Sequence, residues 1–285
     1  MNPPGWGLHR SKGLPAYLIG VDEFAEQDDP SDFVTLIPMS PEVISLKSVD
    51  STNSELIRRC ANGSLAPWTV VVASEQIAGR GRLDRNWQSE PGSGLWCSVL
   101  VDISGCERPT WLPLVAGLAV FDACTRLGAS VELKWPNDVM ASGAKLGGML
   151  IESAGAPGQW VVGIGINVTR AYFPNSVSLA DLCGNTPEIA TVLAEVVHSL
   201  HAQVEAWRNA GWDTSDPSAR YHSVCSSIGA NLHITRPNEA PFDAQGLGLD
   251  EFGHLIVARS GDRREIVLAA DVVHATIKPC TPKSS

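Results

Sequence analysis

Ten residues of this chain, AGRGRLDRNW at 78–87, place three arginines among glycines and end on a tryptophan. An arginine guanidinium is a planar group whose N–H donors pair bidentately with phosphate or carboxylate oxygens. Glycines on either side of Arg80 permit backbone conformations that other residues disfavour, and they let the main chain approach a ligand closely. The segment therefore predicts a loop that folds over an anionic ligand. The alternative is a solvated, charged connection between strands.

The charge of the whole chain narrows the identity of that ligand. The 285 residues include 31 Asp and Glu against 21 Lys and Arg, which gives a formal net charge of −10. Nucleic-acid binding needs a basic face, and this balance opposes one. We therefore expect a small anion and no DNA partner. Hydrophobic residues make up 44% of the chain and charged residues 18%, as in globular proteins.

Seven cysteines are dispersed along the chain without a C-x-x-C pair. Their spacing predicts neither a zinc site nor a disulfide framework, and it indicates thiols in a reducing compartment. No apolar run is long enough to span a bilayer, and the first residues lack the basic-then-apolar pattern of a signal peptide. We therefore expect a cytoplasmic protein with no membrane partner.

Two further segments place polar residues beside glycine or proline at predicted strand ends. In KWPND at 134–138, Pro136 forces the preceding residue into an extended conformation, and Asn-Asp is a common turn pair. Lys145 opens AKLGGMLIES, whose two glycines leave space for a ligand or another backbone. A plain turn and a lysine that extends into solvent are the alternatives. GIGIN at 163–167 is a weaker signal of the same kind.

Strands and helices must position these segments. Thr52-x-x-Glu55 predicts a capping box that opens a short helix ending at Gly63. The spacing of apolar residues and the local composition predict strands at 68–76, 95–101 and 159–168, and three more strands across 131–153 with a Ser-Gly turn. The same signals predict helices at 110–128 and 188–207. The fold class is therefore α+β, with a mixed β-sheet backed by helices.

The chain divides into three predicted regions. Residues 1–39 alternate proline and glycine with an acidic run and predict a poorly ordered N-terminal extension. Residues 40–225 form the predicted catalytic domain. From 226 to 285, short alternating strands with glycine turns predict a separate small β-barrel.

Together, AGRGRLDRNW, KWPND, KLGGMLIES and GIGIN resemble, in order and spacing, the signature segments of biotin–protein ligases. The resemblance extends from about Ser40 to Ile277 and implies a class II synthetase-like catalytic fold. It implies an enzyme that joins biotin and ATP into biotinyl-5′-adenylate with release of pyrophosphate. The biotinyl group then passes to a lysine of a biotin carboxyl carrier domain of acyl-CoA or pyruvate carboxylases. Mg²⁺ is expected with the ATP, although its ligands are unknown.

The resemblance also implies roles for the matching residues. The implied catalytic residues are Lys145 and Arg82. The implied biotin-binding residues are Ser51, Thr52, Asn53, Gln76, Arg80, Gly81, Arg82, Lys145 and Gly148. The implied nucleotide-binding residues are Arg85, Trp87, Asn137 and Asn167, with Trp87 offering an aromatic face to adenine.

Some features depart from the family pattern. Family loops often carry a basic and a small residue where this chain has Leu83 and Asp84, and His274 lies about where some members have an arginine directed at the nucleotide. These departures leave the nucleotide affinity open. The DNA-binding domain of repressor-type members is not recognisable, so we expect a monofunctional ligase. Two alternatives are a lipoate or octanoate–protein ligase, which shares the fold, and a non-catalytic biotin-binding module.

Overall fold

A computed structural model describes residues 42–82, 85–235, 239–259, 263–268 and 274–277. The extension predicted at 1–39 lies outside these residues, as do Leu83 and Asp84. The described part contains a seven-stranded mixed sheet with helices and a five-stranded antiparallel sheet. The predicted α+β class and the mixed sheet backed by helices are confirmed. The domain boundary after residue 225 stays a prediction.

The large sheet contains all the predicted strands of the central region and one additional edge strand. Its strands are β1 Val43–Val49, β2 Val70–Gln76, β3 Gly94–Asp102, β4 Glu132–Lys134, β5 Asp138–Ala141, β6 Ala144–Ser153 and β7 Gln159–Asn167. They lie in the order β1-β2-β3-β7-β6-β5-β4. β1 and β2 run parallel, and the other neighbours pair antiparallel. The edge strand β1 was not predicted.

Among the described residues, five α-helices accompany this sheet: α1 Thr52–Asn62, α2 Leu112–Arg126, α3 Leu179–Leu182, α4 Ile189–Asn209 and α5 Ser215–Val224. The first, second and fourth were predicted, and the other two were not. The predicted capping box is wrong. Ser51 is the N-cap and makes no side-chain cap, whereas Thr52 is inside the helix. Glu55 instead bonds Arg58 and Arg59 on the helix surface.

The two faces of the sheet are covered differently, and this difference creates the site. Because side chains alternate along a strand, Val70 and Val72 enter the large core, which includes residues of α2 and α4. Val71 points the other way and packs in a smaller cluster with Leu56 of α1. The face that carries α1 also carries Gly163 of β7, and the cavity described below lies on this face.

The second sheet follows α5. Its strands are β8 Asn231–Thr235, β9 Phe242–Leu249, β10 Leu255–Arg259, β11 Arg263–Val267 and β12 His274–Ile277, in the order β11-β10-β9-β8-β12. The prediction of a closed barrel is wrong, because a barrel needs every strand to have two neighbours. In the described sheet, β11 and β12 lie at opposite edges and do not pair with each other.

The small sheet is attached to the large one through the turn between β9 and β10. The indole of Trp135 donates to the carbonyl of Gly253 at 3.0 Å, and the indole of Trp111 donates to that of Glu251 at 2.9 Å. Trp135 belongs to the KWPND segment, so this turn supports one wall of the cavity. Across the described ranges, no helix combines the length and the apolarity needed to cross a lipid bilayer.

Candidate active site

A cavity of about 260 Å³ lies over β6 and β7, beside the start of α1. All thirteen residues that the sequence assigned to binding or catalysis line it: Ser51, Thr52, Asn53, Gln76, Arg80, Gly81, Arg82, Arg85, Trp87, Asn137, Lys145, Gly148 and Asn167. They come from segments more than a hundred residues apart in the chain. The structure therefore brings the predicted set together, whereas the role of each residue stays a prediction.

Two glycines of β7, in the GIGIN segment, make room for side chains that form the cavity walls. A Cβ on Gly163 would overlap the side-chain oxygen of Asn53, and one on Gly165 would lie 2.9 Å from the Trp87 ring. On β6, a Cβ on Gly148 would lie 3.3 Å from the carbonyl oxygen of Asn137 and from Asp138 Oδ1. The two glycines of β7 thus let Asn53 and Trp87 pack directly on the sheet.

One end of the cavity is a network of uncharged groups, which we call the hydrogen-bonded end; it comprises Ser51, Thr52, Asn53, Gln76 and Ser98. The backbone N–H of Thr52 donates to Gln76 Oε1 at 2.9 Å, and Gln76 Nε2 donates to Ser89 Oγ at 2.8 Å. Asn53 Nδ2 donates to the carbonyl of Leu150 at 3.1 Å. These bonds fix the orientation of each amide.

Ser98 joins the two α1 residues from beneath. Its hydroxyl is fully buried and donates to Asn53 Oδ1 at 2.6 Å, and it lies 2.8 Å from the hydroxyl oxygen of Thr52. Since a hydroxyl carries a single hydrogen, the bond to the Asn53 carbonyl oxygen uses the one that Ser98 has. Ser98 was not among the predicted residues. A lone serine in the apolar run LWCSVLV was the available signal.

The arginine loop folds back on itself over the cavity. Gly81 N–H donates to the carbonyl of Arg85 at 2.7 Å, and Trp87 N–H donates to that of Gly79 at 2.8 Å. The Arg80 guanidinium forms an ion pair with Glu152 at 2.7 Å. The loop is therefore held against β6, as a segment that covers a ligand requires.

The other end of the cavity, the cationic end, is lined by Arg82, Arg85, Lys134, Lys145, Asn137 and Asp138. Asp138 is the only carboxylate among the described residues that line the cavity. Lys145 Nζ lies 2.6 Å from Asp138 Oδ1. Arg82 donates to Asn137 Oδ1 at 3.4 Å, and no carboxylate of the described residues pairs with Arg82 within 4.0 Å. This end therefore carries an excess of positive charge.

Burial makes that charge more effective. Desolvation lowers the pKa of Arg82, partly offset by the nearby Asp138 carboxylate. Desolvation likewise lowers the pKa of Lys134, again partly offset by Asp138. An arginine stays protonated in spite of such a shift, so Arg82 is a cation held partly away from water. A charge in that setting attracts an anion more strongly than one in bulk solvent.

Trp87 stands between the loop and the sheet. Lys145 Nζ lies 5.2 Å from the centre of its ring, and Trp96 meets it edge-on at 6.2 Å. Its indole N–H is buried without an acceptor in the described part of the chain. Stacking of the Trp87 ring on adenine stays a prediction.

The two predicted asparagines each donate a hydrogen bond to a backbone carbonyl near the cationic end. Asn137 Nδ2 donates to the carbonyl of Met149 at 2.8 Å, and Asn167 Nδ2 donates to that of Val177 at 3.2 Å. The segment 172–176 forms a wall here that was not predicted, and Lys145 N–H donates to the carbonyl of Asn175 at 2.8 Å. Its irregular sequence carried no periodic signal.

Three further residues at the site, Glu152, Lys134 and Asp138, were also not predicted. Lys134 and Asp138 were within the quoted KWPND segment, but their side chains were not assigned. Glu152 lies on the same face of β6 as Gly148, because the two are four residues apart on a strand. Period-two spacing from Gly148 was therefore the signal that would have found it.

Comparisons with known proteins agree on one family. Residues 45–168 match the model of the biotin/lipoate A/B protein ligase family. A biotin–[acetyl-CoA-carboxylase] ligase of Mycobacterium tuberculosis is 35% identical over 234 residues, which cover 79% of this chain and 85% of that protein. A protein of the same name from Paracoccus denitrificans is 36% identical, covering 80% of this chain and 98% of its own.

A solved structure shares the fold. The biotin protein ligase from Aquifex aeolicus, in complex with biotin and ATP, superimposes with a TM-score of 0.71 at 27% identity. The match covers 84% of this chain and 100% of that chain.

Proposed function

This chain belongs to the biotin protein ligase family, and from that premise we propose that it is the ligase that biotinylates a carboxyl carrier domain. In the first step, ATP and biotin give biotinyl-5′-adenylate and pyrophosphate. In the second, the adenylate reacts with a lysine of a biotin carboxyl carrier domain of acyl-CoA or pyruvate carboxylases. The observation that carries the proposal is one cavity with an uncharged hydrogen-bonding end and a cationic end.

The first step brings two anions together. A carboxylate oxygen of biotin attacks the α-phosphorus of ATP, and the bond from that phosphorus to the pyrophosphate oxygen breaks. Repulsion between the carboxylate and the triphosphate opposes this approach, so cations at the junction must offset it. Arg82 and Lys145, at the cationic end, are the residues that we assign to this task.

The uncharged ring of biotin requires a different environment. We assign it to the hydrogen-bonded end, where Ser51, Thr52, Asn53 and Gln76 present oriented donors and acceptors. The loop residues Arg80 and Gly81 cover the ligand, and Gly148 allows it to lie close to β6. When the ring is bound there, the aliphatic side chain of biotin extends its carboxylate toward Lys145.

The nucleotide is assigned to the remaining predicted residues, Arg85, Trp87, Asn137 and Asn167, which also line the cavity. Mg²⁺ is proposed to enter with the ATP. Among the described residues, no group of three or more His, Cys, Asp or Glu is placed to hold a metal ion, and the cavity offers one carboxylate, Asp138. That donor set fits Mg²⁺ held mainly by phosphates, where it shields their charge.

In the second step, the neutral amine of the carrier lysine attacks the acyl carbon of the adenylate. The bond from that carbon to the AMP oxygen breaks, AMP leaves, and the nitrogen loses a proton. The dispersed cysteines favour a reducing compartment, so we propose that both steps occur in the cytoplasm. We also propose a monofunctional ligase without a DNA partner, because the net charge of −10 opposes one.

Pyrophosphate release tests the proposal. The purified chain with biotin, ATP and Mg²⁺ should release pyrophosphate, and an apo carrier domain should then gain the mass of one biotinyl group. Parallel reactions contain lipoate or octanoate in place of biotin. Release driven by those acids and not by biotin would replace the proposal with lipoate–protein ligation. Biotin binding without any release would indicate a non-catalytic module.

A further inference from the structure

The carboxylate of Glu152 has two hydrogen-bond donors from different parts of the chain. Glu152 Oε2 accepts from Arg80 at 2.7 Å and from Asn53 Nδ2 at 2.8 Å. One carboxylate oxygen therefore joins a residue of the loop to a residue of the hydrogen-bonded end. Glu152 itself is absent from the cavity lining, so it acts on the ligand only through these two partners.

We propose that Glu152 is a positioning residue that couples closure of the arginine loop to the orientation of Asn53. The inference rests on the proposed function, because it concerns how biotin is bound. Asn53 Nδ2 has two hydrogens, and the carbonyl of Leu150 and Glu152 accept them. Its Oδ1 accepts from Ser98. With both hydrogens used, Asn53 presents its carbonyl oxygen, and not its N–H groups, to the ligand.

The same contact assigns different tasks to two arginines of one loop. Arg80 is neutralised by Glu152, whereas no carboxylate of the described residues pairs with Arg82. Arg80 therefore anchors the loop, and Arg82 is the one available to an anion. Loss of Glu152 should release the anchor, remove one of the three hydrogen bonds that orient the Asn53 amide and place an unpaired cation at the uncharged end.

A comparison of Glu152→Ala with a matched control tests this coupling. The control is Glu195→Ala, since Glu195 forms an ion pair with Arg126 at 2.6 Å whose exposure resembles that of the Arg80 pair, away from the cavity. We expect the KM for biotin to rise about tenfold in Glu152→Ala, the size expected when charge-assisted hydrogen bonds to a binding residue are lost. The KM for ATP should change less than twofold, and Glu195→Ala should match the unmodified chain.

Loop closure gives a second readout. Hydrogen exchange of the Gly81 and Trp87 amides, which close the loop, should quicken in Glu152→Ala without ligand and stay unchanged in Glu195→Ala. Glu152→Gln keeps an acceptor oxygen and removes the charge, so its KM for biotin should lie between those of the unmodified chain and Glu152→Ala. If Glu152→Ala does not fold, Glu152→Gln decides through the same two measurements.

The outcomes separate this inference from the proposed function. Absence of biotin-dependent pyrophosphate release in the unmodified chain would overturn the proposed function. Release in that chain, together with an unchanged KM for biotin and unchanged amide exchange in the Glu152 variants, would overturn only the coupling. Equal increases in KM for biotin and ATP would also overturn it, because they indicate a general structural role.

Discussion

The hydrogen-bonded end and the cationic end of the cavity use their polar groups in opposite ways. At the first, Thr52, Asn53 and Gln76 are bonded to neighbouring residues, and the nearby cation Arg80 is neutralised by Glu152. At the second, the described lining residues include four lysine and arginine side chains and one carboxylate, that of Asp138. The hydrogen-bonded end therefore presents oriented donors and acceptors without net charge, and the cationic end presents net positive charge.

The difference follows from what each end must bind under the proposed function. A neutral ring is selected by donors and acceptors in fixed directions, and an unpaired charge there would cost free energy on desolvation. A carboxylate and a triphosphate need positive potential from groups that are already in place. The arginine loop serves both ends, since Arg80 and Arg82 are two residues apart and have different partners.

The largest effect is expected at the cationic end, from Lys145→Ala. The rate of adenylate formation should fall about 10²–10³-fold, because a preorganised charge at the reacting groups is lost. The free energy of unfolding should change by no more than about 1 kcal/mol, since the ion pair with Asp138 is partly exposed. Pyrophosphate release and urea unfolding measure the two quantities.

The matched control for that variant is Lys47→Ala, which removes an exposed lysine of β1. It should leave both quantities unchanged. Equal rates in the Lys145 and Lys47 variants would remove Lys145 from the reaction.

A second prediction compares the effects of substituting the two loop arginines, Arg80 and Arg82. Arg82→Gln should lower kcat/KM for ATP about 100-fold, because a partly buried cation with no carboxylate partner among the described residues is lost. Arg80→Gln should act mainly on the KM for biotin, by about tenfold, because it loosens the anchor to Glu152. Steady-state kinetics with each substrate varied in turn gives both values. The comparison fails if the two variants change the same parameter to the same extent.

Much of the frame around these residues could be predicted from the sequence. The buried strands and the long helices have apolar periods that the packing of the large sheet requires. β1 escaped because it is an edge strand in which only Val43 is buried. α5 escaped because SDPSARYHSV buries only Tyr221 and contains a proline and three serines, which are weak helix formers.

The site divides in the same manner. Thirteen of the residues that line the cavity could be predicted from their segments and the family resemblance. Their partners could not, because Glu152 meets Arg80 and Ser98 meets Asn53 only through the register of strands distant in sequence. The sequence also could not decide whether the small sheet is open or closed into a barrel. Alternation of apolar and polar residues identifies strands, but it does not determine whether the two edge strands pair.

A third prediction concerns the hydrogen-bonded end. Ser98→Ala should lower the free energy of unfolding by about 1–3 kcal/mol, because a buried acceptor on Asn53 loses its donor. The KM for biotin should rise severalfold and the KM for ATP should stay unchanged. Thermal or urea unfolding and the pyrophosphate assay measure these effects. Ser223→Ala, at an exposed position of α5, is the control and should change neither quantity.

The smallest expected effect is a shift in the pH profile of kcat/KM for ATP. Desolvation lowers the pKa of Lys134 below its usual 10.5, so this lysine loses its proton at a lower pH than an exposed one. As the pH rises through that lowered value, a cation disappears and kcat/KM for ATP should fall. In Lys134→Arg the charge persists, so the alkaline decline should move to higher pH. An identical pH profile in the two proteins would exclude Lys134 from ATP binding.

A crystal structure of the chain with biotin and a non-hydrolysable ATP analogue tests the division of the cavity most directly. The account predicts the ring of biotin within hydrogen-bonding distance of Thr52 and Asn53, and the phosphates beside Arg82 and Lys145. Phosphates bound at the hydrogen-bonded end, or both ligands outside the cavity, would contradict it.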